Sequence, residues 1–463
     1  MSAAADPTDR PAPFAGQRIA VVGLGRAGLP AALRLRDWGA EVTVWDDGAA
    51  QRAAAAEAGL ALRDLATGAF DFDALCLSPG IPHILPAPHP IAARAQAAGV
   101  PILADVDFLF RAVRAMGSPA RFIGVTGTNG KSTTTALIHH LLTADGQVSE
   151  VGGNLGPPAL GLNILWQGGS YTLEMSSYSL ERLGAIRFNI GVMLNLSPDH
   201  LDRHGSMQRY AAAKAQIFAR QSQADLAVLG MDDDFSTGFV SDIHARLLPI
   251  SGSRAVPGGI WAENSWLRDD AGLIAPLADA PALPGDHNAQ NAAAAAAVAL
   301  ACGVPRGRLA AGLASFPGLP HRQEMVGEVA GIRFINDSKA TNADSAARAL
   351  ATHPRLVWIA GGMAKEGGIA PLAPHFPRIA AALLIGRDAP AMAATLAAAG
   401  VPHQIAGTLE EAVPAALDAA RRAGVPTVLL SPAAASFDQF SGFEARGDRF
   451  RALVRALSAA VAA

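Results

Sequence analysis

One stretch limits the possible folds of this chain more than any other: Arg121-Phe-Ile-Gly-Val-Thr-Gly-Thr-Asn-Gly-Lys-Ser132. The apolar run over 121–125 predicts a short buried strand. Gly127 and Gly130 then punctuate a tight turn, and Lys131-Ser132 opens a helix running to about residue 143. Strand, glycine turn and helix N-terminus form an anion cradle. Backbone N–H groups face a phosphate, Lys131 adds a point charge, and Ser132 offers a hydroxyl to Mg²⁺. The general phosphate-loop pattern has glycine five places before Gly130, where this chain has Val125. The loop is therefore a variant, and it predicts a bound nucleoside triphosphate.

Length and composition limit the rest. At 463 residues the chain suits three domains of about 150 residues each. Half of its residues are hydrophobic, enough for large cores, and a net charge of −3 gives no basic footprint for nucleic acid or an anionic membrane. Cys76 and Cys302 each sit in an apolar run, which predicts buried thiols in a reducing compartment and no disulfide. Residues 1–13 carry three prolines and no apolar segment, as expected of a flexible tail and not a signal peptide. The longest uncharged apolar run, 292–304, is too short for a bilayer, which needs about 20 residues. These features predict a cytoplasmic protein without membrane insertion or a nucleic-acid partner.

Along the chain, a strand over 18–22 runs straight into Gly23-Leu-Gly-Arg-Ala-Gly28. A helix over 29–38 and a strand over 41–45 follow, ending in Asp46-Asp47. Taken alone, this dinucleotide fingerprint reads as NAD, yet a glycine turn at a helix N-terminus serves any diphosphate, including that of a UDP-sugar. A strand over 74–77 ends in the turn Ser78-Pro-Gly80, at the edge where ligands of open α/β sheets bind. Further strands are expected over 171–173, 190–194 and 226–229, interleaved with helices as in a mostly parallel sheet. The last third repeats βα units, with strands near 332–335, 356–360, 382–385 and 428–430 and a closing helix over 444–461.

Several residues could carry chemistry. Glu174, at a strand end beside the phosphate loop, is placed as an acid that holds Mg²⁺. In Asn195-Leu-Ser-Pro-Asp-His-Leu-Asp-Arg-His204 the His-x-x-x-His spacing invites zinc, but the oxygen-rich surroundings favour Mg²⁺. Ser206 can cap a helix over 207–221, on which Lys214 falls on the apolar face with Met207, Tyr210 and Phe218. Either this lysine snorkels, or burial lowers its pKa so that the neutral amine can do chemistry; periodicity leaves both open. Asn288 and Asn291 share a helix face one turn apart, and Asn288 could equally be an N-cap. Arg322 could fork onto a carboxylate or phosphate. Asn336-Asp-Ser-Lys-Ala-Thr-Asn342, Gly361-Gly-Met-Ala-Lys365 and Ser431-Pro-Ala-Ala-Ala-Ser-Phe437 bring polar groups to the carboxyl edge of a third sheet.

These stretches together resemble the Mur ligase superfamily, and within it the D-glutamate-adding branch. The match rests on Gly127-Thr-Asn-Gly-Lys-Ser132 preceded by Val125, and on Asp199-His-Leu-Asp202, Tyr210-Ala-Ala-Ala-Lys214 and Gly285-Asp-His-Asn288. It extends through Leu319-Pro-His-Arg322, Asn336 to Asn342 and Ser431-Pro-Ala-Ala-Ala-Ser-Phe-Asp-Gln439. The resemblance implies an α/β chain of three domains after a tail (1–14). These are a Rossmann-like UDP-substrate domain (15–115), a central ATP-binding phosphate-loop domain (116–318) and a Rossmann-like amino-acid-binding domain (319–463). The implied reaction is ATP-dependent ligation of D-glutamate to UDP-N-acetylmuramoyl-L-alanine through an acyl phosphate, a cytoplasmic step of peptidoglycan precursor synthesis, and a monomer is expected. By resemblance, Gly127, Thr128, Asn129, Gly130, Lys131, Ser132 and Thr133 bind ATP, with Asn288 and Asn291 at adenine and Asp337 and Lys339 at ribose and phosphates. Ser132 and Glu174 hold one Mg²⁺, while His200 and a lysine carbamylated by CO₂, Lys214, serve a second; Lys131, Glu174, His200 and Lys214 are the catalytic set. Arg26, Ala27, Ser78, Gly80, Asn154, Ser176 and His200 meet the UDP-substrate. Arg322, Thr341, Lys365, Ser436, Phe437 and Phe443 meet D-glutamate. The chain departs from the family pattern at Ala27, Asp47 and Gly48, where members often have hydroxyl or basic residues, and at Ala434, where Cys is usual.

Overall fold

The computed structural model describes residues 12–365 and 367–462. The expected tail lies mostly outside them. Its last residue, Phe14, is a correction to that boundary: it is 2% exposed and stacks edge-on against Phe108 in the first core. The chain divides into two compact units between Phe316 and Pro317, at the first proline of Pro317-Gly-Leu-Pro320.

The first unit contains two sheets. The smaller has five parallel strands in the order Ala61–Leu62, Glu41–Trp45, Arg18–Val22, Ala74–Leu77 and Ile102–Leu103. After the exposed Arg18 its central strand is apolar, because both faces are covered. Ile19 and Val21 join one hydrophobic core, and Ala20 and Val22 join the other.

The larger sheet has nine strands: Gly272–Pro276, Trp266–Asp269, Ile260–Glu263, Arg246–Ser251, Leu226–Gly230, Ile190–Met193, Arg121–Thr126, Ser170–Glu174 and Ser149–Gly153. Pairing is parallel except for the two ladders among 260–276. Arg121–Thr126 lies between Ile190–Met193 and Ser170–Glu174, so the segments following these three strands meet at one carboxyl edge. The sequence gives no clear sign of the strands Ser149–Gly153, Arg246–Ser251 or the hairpins after residue 259. They are short and interrupted by glycine, proline and charge.

The second unit is a six-stranded sheet, ordered Glu324–Val329, Ile332–Asn336, Thr427–Leu430, Leu356–Gly361, Ile379–Ile385 and His403–Gly407. Only the first pairing is antiparallel. The helix Phe443–Ala462 lies against its first strand.

Two helices differ from expectation. The helix begun at Met207 stops at Ala215, not residue 221. Beyond it the backbone tightens: Ile217 N donates to Lys214 O and Phe218 N to Ala215 O, each a three-residue step. This tightening leaves both Ile217 and Phe218 buried. The Ala-rich helix starts at Asp286, with Gly285 as its N-cap and no side-chain cap. Asn288 is therefore inside the helix and not its cap.

Candidate functional site

The phosphate loop is a close-fitting structure. Gly127 (φ 147°) and Gly130 (φ 83°) adopt backbone conformations that side chains disfavour, and Gly130 leads into the helix Lys131–Ala144. A Cβ on Gly130 would fall 2.1 Å from Asn291 Oδ1. Val125 is a fully buried strand residue whose carbonyl accepts from Met175 N at 2.8 Å, so the turn proper begins after Thr126. The segment after Ile190–Met193 braces the loop. Thr128 N donates to Asn195 O (2.8 Å), Asn129 N to Asn195 Oδ1 (2.9 Å), and Thr128 Oγ1 to Ser197 O (3.1 Å). Thr134 Oγ1 donates to Asn291 Oδ1, and Asn291 Nδ2 to Asn288 Oδ1, so both asparagines form a buried chain running from the loop's helix.

Two lysines address one carbonyl. Lys131 Nζ donates to Gly127 O (3.0 Å) and Thr128 O (2.9 Å), and Lys214 Nζ donates to Gly127 O (2.7 Å). Lys214 is 2% exposed, and its ammonium lies 4.9 Å from the Tyr210 ring centre. Burial first, and Lys131 second, hold its pKa well below the usual lysine value. The snorkelling alternative does not hold, because the ammonium points inward.

Glu174 is 3% exposed. Its Oε1 accepts from Asn154 Nδ2 (2.9 Å), while the buried Oε2 has no hydrogen-bond partner. An unpartnered buried carboxylate oxygen beside a phosphate loop fits a divalent cation. Ser132, buried in the first helical turn, supplies a matching hydroxyl. Among the described residues no three of His, Cys, Asp and Glu converge as a metal cage. The Glu174 carboxylate and the Ser132 hydroxyl are oxygen donors, which suit Mg²⁺ better than zinc. His200 adopts φ 52° at the start of the helix Leu201–His204, and its Nδ1 lies 2.9 Å from Tyr178 OH. Desolvation lowers its pKa, and Lys214 and Lys131 add to that effect. His204 points elsewhere and meets Ser177 Oγ at 2.9 Å.

At the edge of the first sheet, Gly23, Gly25, Asp46, Asp47, Ser78 and His89 help line a cavity of about 270 Å³. Asp46 Oδ2 accepts from Leu24 N (2.6 Å) and Oδ1 from Gly48 N (2.7 Å). The strand-end acid thus braces the glycine turn, which disfavours the NAD reading. Arg26 donates to Gly156 O, near Asn154. Ser176 caps the helix Ser177–Leu180 through Ser179 N. The structure gives Ala27 and Gly80 no hydrogen-bonding side chain.

In the second unit, the segments after three adjacent strands carry predicted groups, and some of these groups meet. Asp337 is buried, with Oδ2 accepting from Ser431 Oγ (2.8 Å) and Oδ1 from Gln323 N (3.2 Å). Burial pushes its carboxyl up to about 7. Lys339 Nζ lies 3.8 Å from the Phe443 ring centre, tying a predicted nucleotide residue to a predicted glutamate residue. Thr341 and Arg322 are partly buried, Lys365 and Phe437 are exposed, and Ser436 is buried. Sequence reasoning gives no sign of Arg446, which is 1% exposed. It donates to Ser338 Oγ and O, Gly361 O and Ala434 O, fastening all three loops.

Comparison with known proteins bears on this geometry. The Mur ligase middle domain profile matches residues 125–299, and the Mur ligase, glutamate ligase domain profile matches 321–434. The UDP-N-acetylmuramoylalanine--D-glutamate ligase of Caulobacter vibrioides is 48% identical over 458 residues, covering 96% of this chain and 97% of that protein. The chain belongs to the Mur ligase family. The like-named protein of Rhizobium meliloti is 46% identical over 454 residues, with 96% and 97% covered. Among solved Mur ligases, UDP-N-acetylmuramate-alanine ligase MurC from Thermotoga maritima superposes with TM-score 0.58 at 19% identity, over 95% of this chain and 99% of that one. MurF ligase from the same organism, in complex with ADP, gives 0.57 at 17%, covering 96% of each. These two likenesses speak for the fold. No helix among the described residues is long and apolar enough to cross a membrane.

Proposed function

We propose that this Mur ligase joins D-glutamate to UDP-N-acetylmuramoyl-L-alanine at the expense of ATP, through an acyl phosphate, as a cytoplasmic monomer in peptidoglycan precursor synthesis. Relatives of that name, 45–48% identical over nearly the whole chain, support the choice of substrates. The observation that carries the chemistry is the buried Glu174, with one oxygen unpartnered, beside a glycine loop whose Gly127 carbonyl two lysines share.

The N–H groups and side chains of 127–133 receive the triphosphate, with Lys131 as the point charge. Asn288 and Asn291 would border the adenine, and Asp337 and Lys339 the ribose and phosphates. Arg26, Ala27, Ser78, Gly80, Asn154, Ser176 and His200 hold the UDP-substrate so that its terminal carboxylate attacks the γ-phosphorus and ADP leaves. The D-glutamate amine, positioned by Arg322, Thr341, Lys365, Ser436, Phe437 and Phe443, then attacks the acyl carbon, and phosphate departs as the amide forms. Two cationic side chains, Arg322 and Lys365, suit an amino acid with two carboxylates; L-alanine would need fewer charges.

Bound Mg²⁺ would neutralise the approaching anions. Ser132 and Glu174 would hold one ion, and His200 and Lys214 would serve the second. For that role the neutral Lys214 amine attacks CO₂ and loses one proton, giving a carbamate that offers carboxylate-like oxygens. The depressed pKa of Lys214 favours the neutral amine. The deciding experiment is ADP release that requires UDP-N-acetylmuramoyl-L-alanine and D-glutamate together. Robust turnover with L-alanine or L-glutamate in place of D-glutamate would overturn the assignment.

A further inference from the structure

Arg182 lies two residues beyond the short helix Ser177–Leu180 and eight beyond Glu174. Nothing in the ligase reading above uses it, yet it is 3% exposed and its guanidinium is fully engaged. Nη1 donates to Leu77 O (3.0 Å) and Ser78 O (2.9 Å), Nη2 to Pro79 O (3.4 Å) and to Ile81 O, and Nε to His83 Nδ1 (3.2 Å). Four of these acceptors are main-chain carbonyls of a single turn, Ser78-Pro-Gly80 with its flanking residues. That turn follows a strand of the first sheet, whereas Arg182 follows a strand of the second. Glu181 Oε1 lies 4.0 Å from Arg182 Nη2, while it accepts from Arg203 Nη2 (2.6 Å) and lies 3.3 Å from His83 Nδ1.

An arginine that served only to join two sheets would find acceptors on several elements, or give way to an apolar side chain, since burying a guanidinium is unfavourable unless every donor is met. Here four of the five contacts go to main-chain carbonyls of one turn and its flanks, the fifth goes to His83 just beyond it, and Ser78 and Ile81 line the 270 Å³ cavity shared with the glycine turn. A planar fork of five donors fixes peptide orientations in a way that a point charge cannot. We infer that Arg182 is a positioning residue for UDP-substrate recognition: it sets the Ser78–Gly80 turn from the segment that also carries Glu174 and Ser176. The inference rests on the proposal that this turn meets the UDP moiety.

The test compares the wild-type chain with Arg182→Lys in steady-state kinetics and in equilibrium binding of UDP. The expected result is a KM for UDP-N-acetylmuramoyl-L-alanine raised about 10-fold or more, with kcat and the KM values for ATP and D-glutamate changed less than about 3-fold. UDP affinity should fall in parallel. An unchanged UDP-substrate KM, or a loss of kcat with all three KM values moving together, would overturn the inference. Should Arg182→Lys fail to fold, His83→Ala removes one acceptor only and must show the same split at smaller size; no split there overturns the inference equally. Wild-type ADP release without dependence on the UDP-substrate would instead sink the ligase reading. UDP binding by wild type and variant still tests the role of Arg182 in that case.

Discussion

Lys214 shows how a single residue can be both legible and ambiguous. Its place on an apolar helix face is visible in the sequence, because helical period alone puts it beside Tyr210. Its partner, Gly127 O, lies 87 residues away and is not visible there. Lys214→Ala should abolish ADP release, and short-chain carboxylic acids should restore part of it by supplying the oxygens a carbamate would; a variant that ligates unaided would refute the metal-ligand role. Asp337 gives a second expectation. Its carboxyl sits at about 7 in the folded chain and near 3.9 when unfolded, so between roughly pH 4 and 7 the folded state holds a proton that the unfolded state has released. Stability from this group is fully present below about pH 4 and is lost as pH rises through about 7. Asp337→Asn cannot titrate, so the melting temperature of wild type minus variant should fall between about pH 4.5 and 7.5. A difference that stays flat or rises would contradict the burial argument. Arg182 and Arg446 were beyond sequence reasoning for one reason: nearly all their partners are main-chain carbonyls, which leave no mark on residue type.

At the scale of elements, apolar runs bounded by glycine turns carry the prediction well in the first sheet. Arg18–Val22, Glu41–Trp45 and Ala74–Leu77 match the sequence reading at both ends. Strands interrupted by glycine or proline do not announce themselves. Ser149–Gly153 ends in two glycines, and Arg246–Ser251 contains a proline. Their strand character comes from pairing with a neighbour, not from propensity. The closing helix Phe443–Ala462 is legible as a helix, but its function as a clamp is not. Through Arg446 it holds Ser338, Gly361 and Ala434, each in or beside a segment that carries proposed D-glutamate or nucleotide contacts. Arg446→Lys retains charge but loses the fork. It should raise the D-glutamate KM by about 10-fold while leaving UDP affinity unchanged. Equal weakening of both would mean that the helix supports general stability and does not shape that edge.

For the whole molecule, the division at Phe316 separates the proposed UDP-substrate contacts from the proposed D-glutamate contacts. Arg26 belongs to the first unit, where it donates to Gly156 O, and Lys365 is an exposed residue of the second. Substitutions at independent positions add in free energy to within about 0.5 kcal/mol, whereas positions that share a network depart from additivity by up to about 3 kcal/mol. Arg26→Ala should therefore raise the KM for UDP-N-acetylmuramoyl-L-alanine, Lys365→Ala should raise that for D-glutamate, and neither should alter the other's constant. In the double variant, the loss in kcat/KM for each substrate should equal that of the corresponding single variant to within about 2-fold. A coupling above about 1 kcal/mol would show that one substrate reshapes the other's site. The two units would then act in recognition as one body, and Arg26 would have to be assigned to both substrates.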